Sequence, residues 1–567
     1  MTTPSPTDAA PSPEKAGTRL DDGTRATLDA ELERLRAGAS GWARRTLPAR
    51  RALLLKVRAA VGVVAADWVR IAADSKGLPA GHPLRGEEWL AGPYAAIVAL
   101  DAYAATLDRL ARGESPLAGI RFGTAPGGRA VVPTSPRDAT DNLLLSGYTT
   151  EVWLRPGVTP AHATDAAGLA ARHPSSSGGV GLVLGAGNVT AIPFLDVLYE
   201  LLAFNRVALL KLNPTQDALL PVLAKALAPL TGPGYVRIVR GGGGIGAYLT
   251  RHTAIDHVHI TGSEATFRAI VGGGLDVPIT AELGGVSPII VAPGRWSRAD
   301  LRFQAEHIAT MRLHNSGHNC IAGQVVLVSG DWDQRVEFER ELHAAFARTP
   351  QRAVWYPDSE KRLHGVREAY PDAVWSAGDT RAIVRGTGEI ETTEYFAPVL
   401  GIIELAGTGQ TFVDAAVAHA NERLTGTLGA HVLVDPRTQR SLGRGFEEAI
   451  ARLEYGTVAI NAWTAFGFLT PTATWGAFPG GTVDDAPSGI GVVHNALLLD
   501  DVERTVVRGP FRPFPRSLGR SRFSLLPKPP WFVTSRTGAA VSEGFARFRI
   551  DGHWGRLAVT LVRAFGA

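Results

Sequence analysis

From about Thr24 to Ala111 apolar residues recur at helical spacing with charge between them. RATLDAELERLRAGA and LPARRALLLKVRAAVGVVAADWVRIAAD therefore predict long amphipathic helices. From Gly119 to Pro156 the pattern is mixed and more extended. GYTTEVWLRPGVTP alternates like a strand or hairpin and breaks at Pro156-Gly157. After the polar loop HPSSSGG a regular alternation begins. GVGLVLGAGN predicts a buried strand running into a glycine turn, VTAIPFLDVLYELLAFN an apolar helix, RVALLKLNP a second strand and QDALLPVLAKALAPL a second helix. YVRIVRGG, GIGAYLTRH and IDHVHITGS continue as strand, short helix and strand, and TAELGGVSPIIVA is a strand region broken by Gly284-Gly285. Strands and helices alternating at this length predict a parallel sheet covered on both faces.

After Cys320 the alternation restarts. VVLVSG, VLGIIEL, LGAHVLVD and GTVAIN predict strands, with DQRVEFERELHAAFAR, TFVDAAVAHANER and TQRSLGRGFEEAIARL as helices between them. The fold class is therefore α/β, with two doubly wound parallel-sheet domains. From about Gly509 the periodicity fades into a run of Pro, Arg and aromatics, and VSEGFARFRIDGHWGRLAVTLVRAF predicts one or two short helices.

Composition adds limits. No window approaches twenty uncharged apolar residues, so no membrane-spanning helix is expected. Residues 1–20, rich in Pro, Ser, Thr and charge, read as a disordered leader and not a signal peptide. One cysteine and no export signal point to the cytoplasm. A net charge of +4 gives no ground for a nucleic-acid partner. The charge is uneven: Arg504 to Ala567 holds twelve Lys or Arg against Glu543 and Asp551. These cations are interleaved with Phe511, Phe514, Phe523, Trp531, Phe532, Phe545, Phe548 and Trp554, a combination suited to a subunit interface, an anionic membrane or packing on the chain's own body. Lysine is scarce beside arginine, so a lysine inside a motif carries more information than usual.

Cys320, the only cysteine of the 567 residues, cannot form an intrachain disulfide, and no cysteine metal site is possible. It is either a small buried hydrophobe or a nucleophile. Its neighbours Asn315, Ser316, Gly317, His318 and Asn319 are small and polar, and GQVVLVSG follows as a strand, which suits a nucleophile on a loop. Glu282 stands in an otherwise apolar strand region, where a carboxylate is costly unless exposed, paired or functional. Gly185-Ala186-Gly187-Asn188 lies at a strand-to-helix turn without the third Rossmann glycine. Lys211 and Thr261-Gly262-Ser263 end two predicted strands, where a parallel sheet binds ligands.

Taken in order, GAGNVTAIPF, RVALLKLNP, IDHVHITGSEATFRAI, TAELGGVSPIIV, NSGHNCIAGQ, TTEYFAPVL, ANERLTGTLGAHVLVD and GTVAINAW resemble the aldehyde dehydrogenase superfamily, from about Leu182 to Phe478. The resemblance implies Cys320 as nucleophile, Asn188 as oxyanion donor with the Cys320 amide, and Glu282 as general base. It implies that NAD or NADP is held by Lys211, Gly241, Gly246, Ser263, Leu283, Glu394 and Phe396. It implies a Rossmann-like cofactor domain (residues 21–142 and 161–283), a bridging oligomerisation hairpin (143–160) and a catalytic domain (284–495), followed by a basic C-terminal extension (496–567). A small-molecule aldehyde as substrate and a homodimer or homotetramer follow as expectations. The sequence departs from the family at Ala186-Gly187, where Pro-Trp is usual, at His318, where glutamine is usual, and at Pro214, where a ribose-binding carboxylate is usual. The last departure puts strict NAD preference in doubt. Two rivals stand beside aldehyde oxidation to a carboxylate: a CoA-dependent acylating relative, and a non-catalytic binding subunit.

Overall fold

The computed structural model describes residues 20–172, 178–518 and 522–566. The leader expected over residues 1–20 lies outside them except for Leu20. The helical patterning near the start gives α1 (Asp22–Ala43) and α2 (Leu47–Ser75). Asp21 caps α1, its carboxylate accepting from Thr24 N at 2.8 Å. α2 buries Leu54, Val57, Val61 and Trp68, a stripe at helical spacing. α3 (Ala95–Ala111) ends a longer helical stretch that begins at Pro83. Pro83–Ala111 is long and apolar enough to cross a membrane by length and composition alone, but 72% of its most apolar window is buried inside the body, as in a core helix.

β1 (Gly123–Ala125), β2 (Arg129–Ser135) and β3 (Thr149–Leu154) pair antiparallel in that order. The regular α/β region follows as β4 (Val180–Leu184), α4 (Ile192–Ala203), β5 (Val207–Lys211), β6 (Val236–Val239), β7 (His257–Thr261), α5 (Glu264–Gly272) and β8 (Ile279–Glu282). These strands form a parallel sheet in the order β8-β7-β4-β5-β6. The single helix expected over QDALLPVLAKALAPL is instead a short turn and two short helices, because Pro221 and Pro229 sit where each helix restarts.

Leu283 to Val286 carries the chain into a second sheet. It is built on β9 (Ser287–Val291), β10 (Gly323–Ser329), β11 (Val374–Ser376), β12 (Arg381–Arg385), β13 (Val399–Leu405), β14 (Gly429–Leu433) and β15 (Thr457–Ile460), with α6 (Arg298–Leu313) between β9 and β10. β16 (Trp475–Gly476) pairs with β18 (Val492–Val493), while β17 (Gly489–Ile490) returns to the edge of the first sheet beside β8. β19 (Val502–Arg508) runs parallel to β15 and antiparallel to β3, so the second sheet has eleven strands among the described residues.

Two expectations need correction. Residues 143–160 are not a hairpin: they hold the one strand β3, whose partners β2 and β19 lie outside that range. The C-terminal extension does not begin at residue 496, because β19 is an interior strand of the larger sheet. Its arginine is accommodated by hydrogen bonding. Arg504, 2% exposed, donates to the carbonyls of Ile450 and Leu453 and pairs with Glu503. Beyond Arg508 the tail packs on its own chain. Phe511, Trp531, Phe532, Phe545 and Phe548 are buried, whereas Phe523, Trp554 and Phe565 are exposed. α7 (Gly538–Asp551) lies so close to the Pro83 stretch that a Cβ on Gly86 would sit 2.7 Å from Ala539. α8 (Trp554–Ala564) follows.

Candidate functional site

Cys320 is delivered by α6. Ser297 and Asp300 form a reciprocal capping box at the start of this helix. At its far end Asn315, Ser316 and Gly317 take φ of 53°, 58° and 74° in succession. Two non-glycine residues in the left-handed region each cost on the order of 1 kcal/mol, so the surroundings must hold them. Glu87 does so by accepting from Asn315 N at 3.0 Å. Gly317 admits no side chain, because a Cβ there would lie 2.7 Å from the Ala397 carbonyl.

The loop brings the Cys320 thiol 3.6 Å from Glu282 Oε1 at the end of β8. The indole N–H of Trp475 donates to the same oxygen at 2.6 Å. Desolvation pushes the thiol pKa well up, and the carboxylates of Glu282 and Glu394 push it further. Burial likewise raises the Glu282 pKa, against the opposing pull of His494 and the Trp475 hydrogen bond. His494 is paired with Asp196 at 2.9 Å, and the His259 and His494 contacts hold that carboxylate down to about 2 against its burial.

Asn188, 6% exposed, sits at the turn after β4. Its side-chain amide donates to the His318 carbonyl at 3.0 Å, tying it to the nucleophile loop. Its own carbonyl accepts from Lys76 Nζ at 2.9 Å and from Asn315 Nδ2 at 3.1 Å. Lys76 belongs to a buried charge cluster: it pairs with Glu88 at 2.8 Å, while Glu87 pairs with Arg352 at 2.5 Å. Helix residues from the start of the chain thus brace both the oxyanion candidate and the cysteine loop. Gly187 is required for close approach, since a Cβ there would be 2.7 Å from Tyr356 Oη and 2.8 Å from Thr215 Oγ1. That contact accounts for the departure from the family's usual tryptophan.

A cavity of about 870 Å³ runs from Cys320 along the carboxyl ends of β4, β5 and β7. Lys211, Gly246, Ser263, Glu394 and Phe396 line it, together with Glu282 and Asn188. Burial lowers the Lys211 pKa to about 8, with Asp217 opposing the shift. Ser263 caps α5, accepting from Thr266 N at 3.2 Å. Burial pushes Glu394 up to about 7, against the nearby Arg312. Its Oε1 is buried without a partner, and a Cβ on Gly284 would collide with this carboxylate. Phe396, held at φ 45°, meets the Tyr356 ring edge-on at 5.0 Å. His318 is fully buried, donor or acceptor to Ser359 Oγ at 3.0 Å, and desolvation keeps it neutral.

Two sequence expectations do not reach this cavity. Gly241 does not line it; it takes φ 138° in the turn after β6, packed against Ile245. Leu283 is 1% exposed and turned into the core. Sequence reasoning missed Trp475, His494, Asp196 and the Lys76–Glu88 pair. Each lies far along the chain from the motif it supports, and no local pattern marks it. The one available signal was Lys76, as a lysine in an arginine-rich chain.

The aldehyde dehydrogenase family is matched over residues 158–353. Geranial dehydrogenase of Castellaniella defragrans is 30% identical over 268 residues, 43% of this chain and 53% of that one. The 3,6-anhydro-alpha-L-galactose dehydrogenase of Streptomyces coelicolor is 29% identical over 296 residues, 46% of this chain and 56% of that one. The chain thus spans about half the length of the curated relatives it matches. Among solved structures, an NAD-dependent aldehyde dehydrogenase from Sinorhizobium meliloti superposes with a TM-score of 0.57 at 19% identity, covering 86% of each chain. The NADP-dependent glyceraldehyde-3-phosphate dehydrogenase from Bacillus halodurans, complexed with NADP, gives 0.56 at 18% identity, covering 86% of this chain and 91% of that one. At these identities the likeness concerns the fold.

Proposed function

We propose that this chain, which matches the aldehyde dehydrogenase family over residues 158–353, is an aldehyde dehydrogenase that oxidises an aldehyde to a carboxylate with NAD or NADP through a covalent intermediate on Cys320. The observation that carries the reading is the meeting of the thiol, Glu282 and Asn188 at the end of the large cavity.

The cavity suits a dinucleotide. Its unpartnered buried carboxylate oxygen on Glu394 matches a pair of ribose hydroxyl donors, and Lys211 matches the hydroxyls or phosphate of the second ribose. Ser263 and the start of α5 offer backbone amides to a pyrophosphate. A bound nicotinamide dinucleotide supplies the hydride acceptor. Pro214 leaves no carboxylate at the position that usually excludes a 2′-phosphate, so both dinucleotides belong in the reading.

The residues then act in sequence. Glu282 Oε1, beside the sulfur, takes the thiol proton, and the burial that raises its pKa makes it the stronger base. Cys320 adds to the aldehyde carbon. The alkoxide that forms meets the Asn188 amide, which has a second N–H beyond the one given to His318. Loss of hydride from that carbon leaves a thioester on Cys320. Glu282 releases the thiol's proton to solvent and then deprotonates a water, which adds to the thioester carbonyl; collapse of that adduct breaks the C–S bond, freeing the acid, and Glu282 returns its proton to the Cys320 sulfur. The base beside the sulfur favours water over CoA as acyl acceptor and weighs against a silent binding subunit.

The test is reduced-cofactor absorbance with a panel of aldehydes, either dinucleotide, with and without CoA. Wild type should turn over without CoA, and Cys320→Ala should lose turnover while still binding dinucleotide. Turnover only with CoA would move the protein to the acylating reading. No turnover under any condition would leave the binding-subunit reading.

A further inference from the structure

Resting on that functional reading, we propose that the C-terminal segment forms a wall of the aldehyde pocket, that Trp531 sets the length of aldehyde admitted, and that the substrates are uncharged apolar aldehydes.

A second cavity, of about 60 Å³, shares Asn188, Glu282 and Cys320 with the first. It therefore begins at the reacting sulfur. Apart from His314 and Asn319 its remaining walls are apolar, with Trp463, Phe466, Phe468, Trp475 and Trp531 as the large rings. Among the described residues no Lys or Arg lines it. A carboxylate or phosphate on the far end of an aldehyde would thus be desolvated without a cation, close to the Glu282 carboxyl.

Trp531 comes from the tail, more than two hundred residues from Cys320. It is 7% exposed and held in place by rings. Phe466 meets it edge-on at 4.7 Å and Tyr148 at 5.5 Å, while Tyr148 and Phe466 stack at 4.1 Å. The backbone around it is fixed to α6, the helix that delivers the nucleophile. Val533 N donates to Thr310 Oγ1 at 3.2 Å, Lys528 pairs with Glu306 at 2.9 Å, and Gln304 Nε2 donates to the Phe511 carbonyl at 2.7 Å. The wall and the sulfur therefore share one rigid support.

The cavity is smaller than the roughly 150 Å³ that accepts a benzene ring. Wild type should accordingly favour short apolar aldehydes. Removing the indole opens room for several further methylenes.

The experiment compares kcat/KM for straight-chain aldehydes from three to ten carbons and for matched aldehydes bearing a terminal carboxylate, in wild type, Trp531→Ala, Trp531→Phe and the exposed-tail control Trp554→Ala. The optimum should move to longer chains in Trp531→Ala, with a gain of roughly tenfold or more for the long members, and by less in Trp531→Phe. Trp554→Ala should match wild type. Cys320 alkylation by haloacetamides of increasing apolar bulk reads the same wall without turnover, and Trp531→Ala should speed only the bulky reagents. Should Trp531→Ala fail to fold, Trp531→Phe carries the comparison. Unchanged chain-length and alkylation profiles in a variant that still binds dinucleotide would overturn the wall. A wild-type preference for the carboxylate-bearing series would overturn the substrate class. If no aldehyde is oxidised but the alkylation profile shifts, the functional reading fails and the wall stands.

Discussion

Glu394 turns the geometry of the large cavity into a pH dependence. Its folded pKa of about 7 lies above the ordinary 4.5, chiefly through burial. Ribose hydroxyls donate to the carboxylate, so a dinucleotide binds best to the ionised form. Affinity should rise with pH up to about 7, by at most tenfold per unit, and then level off. Glu394→Gln should bind more weakly and without that slope, which calorimetric titration can check. The same shift acts on stability. The buried neutral carboxyl contributes stability that is full below 4.5 and is lost as pH rises through about 7. The melting temperature of Glu394→Gln should therefore gain on wild type across that interval. Cys320 and Glu282 were legible because each breaks its local pattern: a lone thiol among small polar residues, and a charge in an apolar strand. Trp475, which donates to Glu282, and His494, which pairs with Asp196 beside it, were not. A tryptophan or histidine looks the same in the sequence whether or not it meets a carboxylate 193 or 298 residues upstream.

At the level of elements, α6 joins the nucleophile loop to the tail. Asp300, 1% exposed, serves in the capping box and also accepts from Arg512 and Arg516. Its pKa is lowered by these partners against burial, so the carboxylate is ionised and paired. Asp300→Asn should weaken the cap and both arginine contacts together, costing about 2 kcal/mol or more. Scanning calorimetry should show a lower melting temperature. Limited proteolysis should show faster cleavage within residues 509–535, and an unchanged cleavage rate would contradict the account of the tail. Periodicity made most helices and parallel strands legible, because each buries a face set by its own residues. β19 was not legible. VERTVVR carries three charges, and only its distant partners β3 and β15, with the carbonyls that receive Arg504, make it an interior strand. The supposed hairpin failed for the same reason: β3 finds its partners outside its own neighbourhood.

At the level of the whole molecule, the two sheets are separate layers joined at Leu283–Val286, and the chemistry lies at that crossing. β8 of one sheet ends in Glu282 and β10 of the other follows Cys320, so the proposed base and nucleophile come from opposite sides of one cleft. The order of the eight motifs made this arrangement legible from the sequence. The tail's part in the pocket was not, because nothing in an Arg-Pro-aromatic run states what it will pack against. The central claim is that Cys320 carries the acyl group and Glu282 activates the water that removes it. Its most direct test is rapid acid quench of Glu282→Gln mixed with aldehyde and dinucleotide, followed by mass spectrometry of the Cys320 peptide. The account predicts a burst of about one reduced cofactor per site, an acyl adduct on Cys320, and a steady rate lower by roughly 10²–10⁴-fold. Turnover at the wild-type rate with Cys320 unmodified would contradict it.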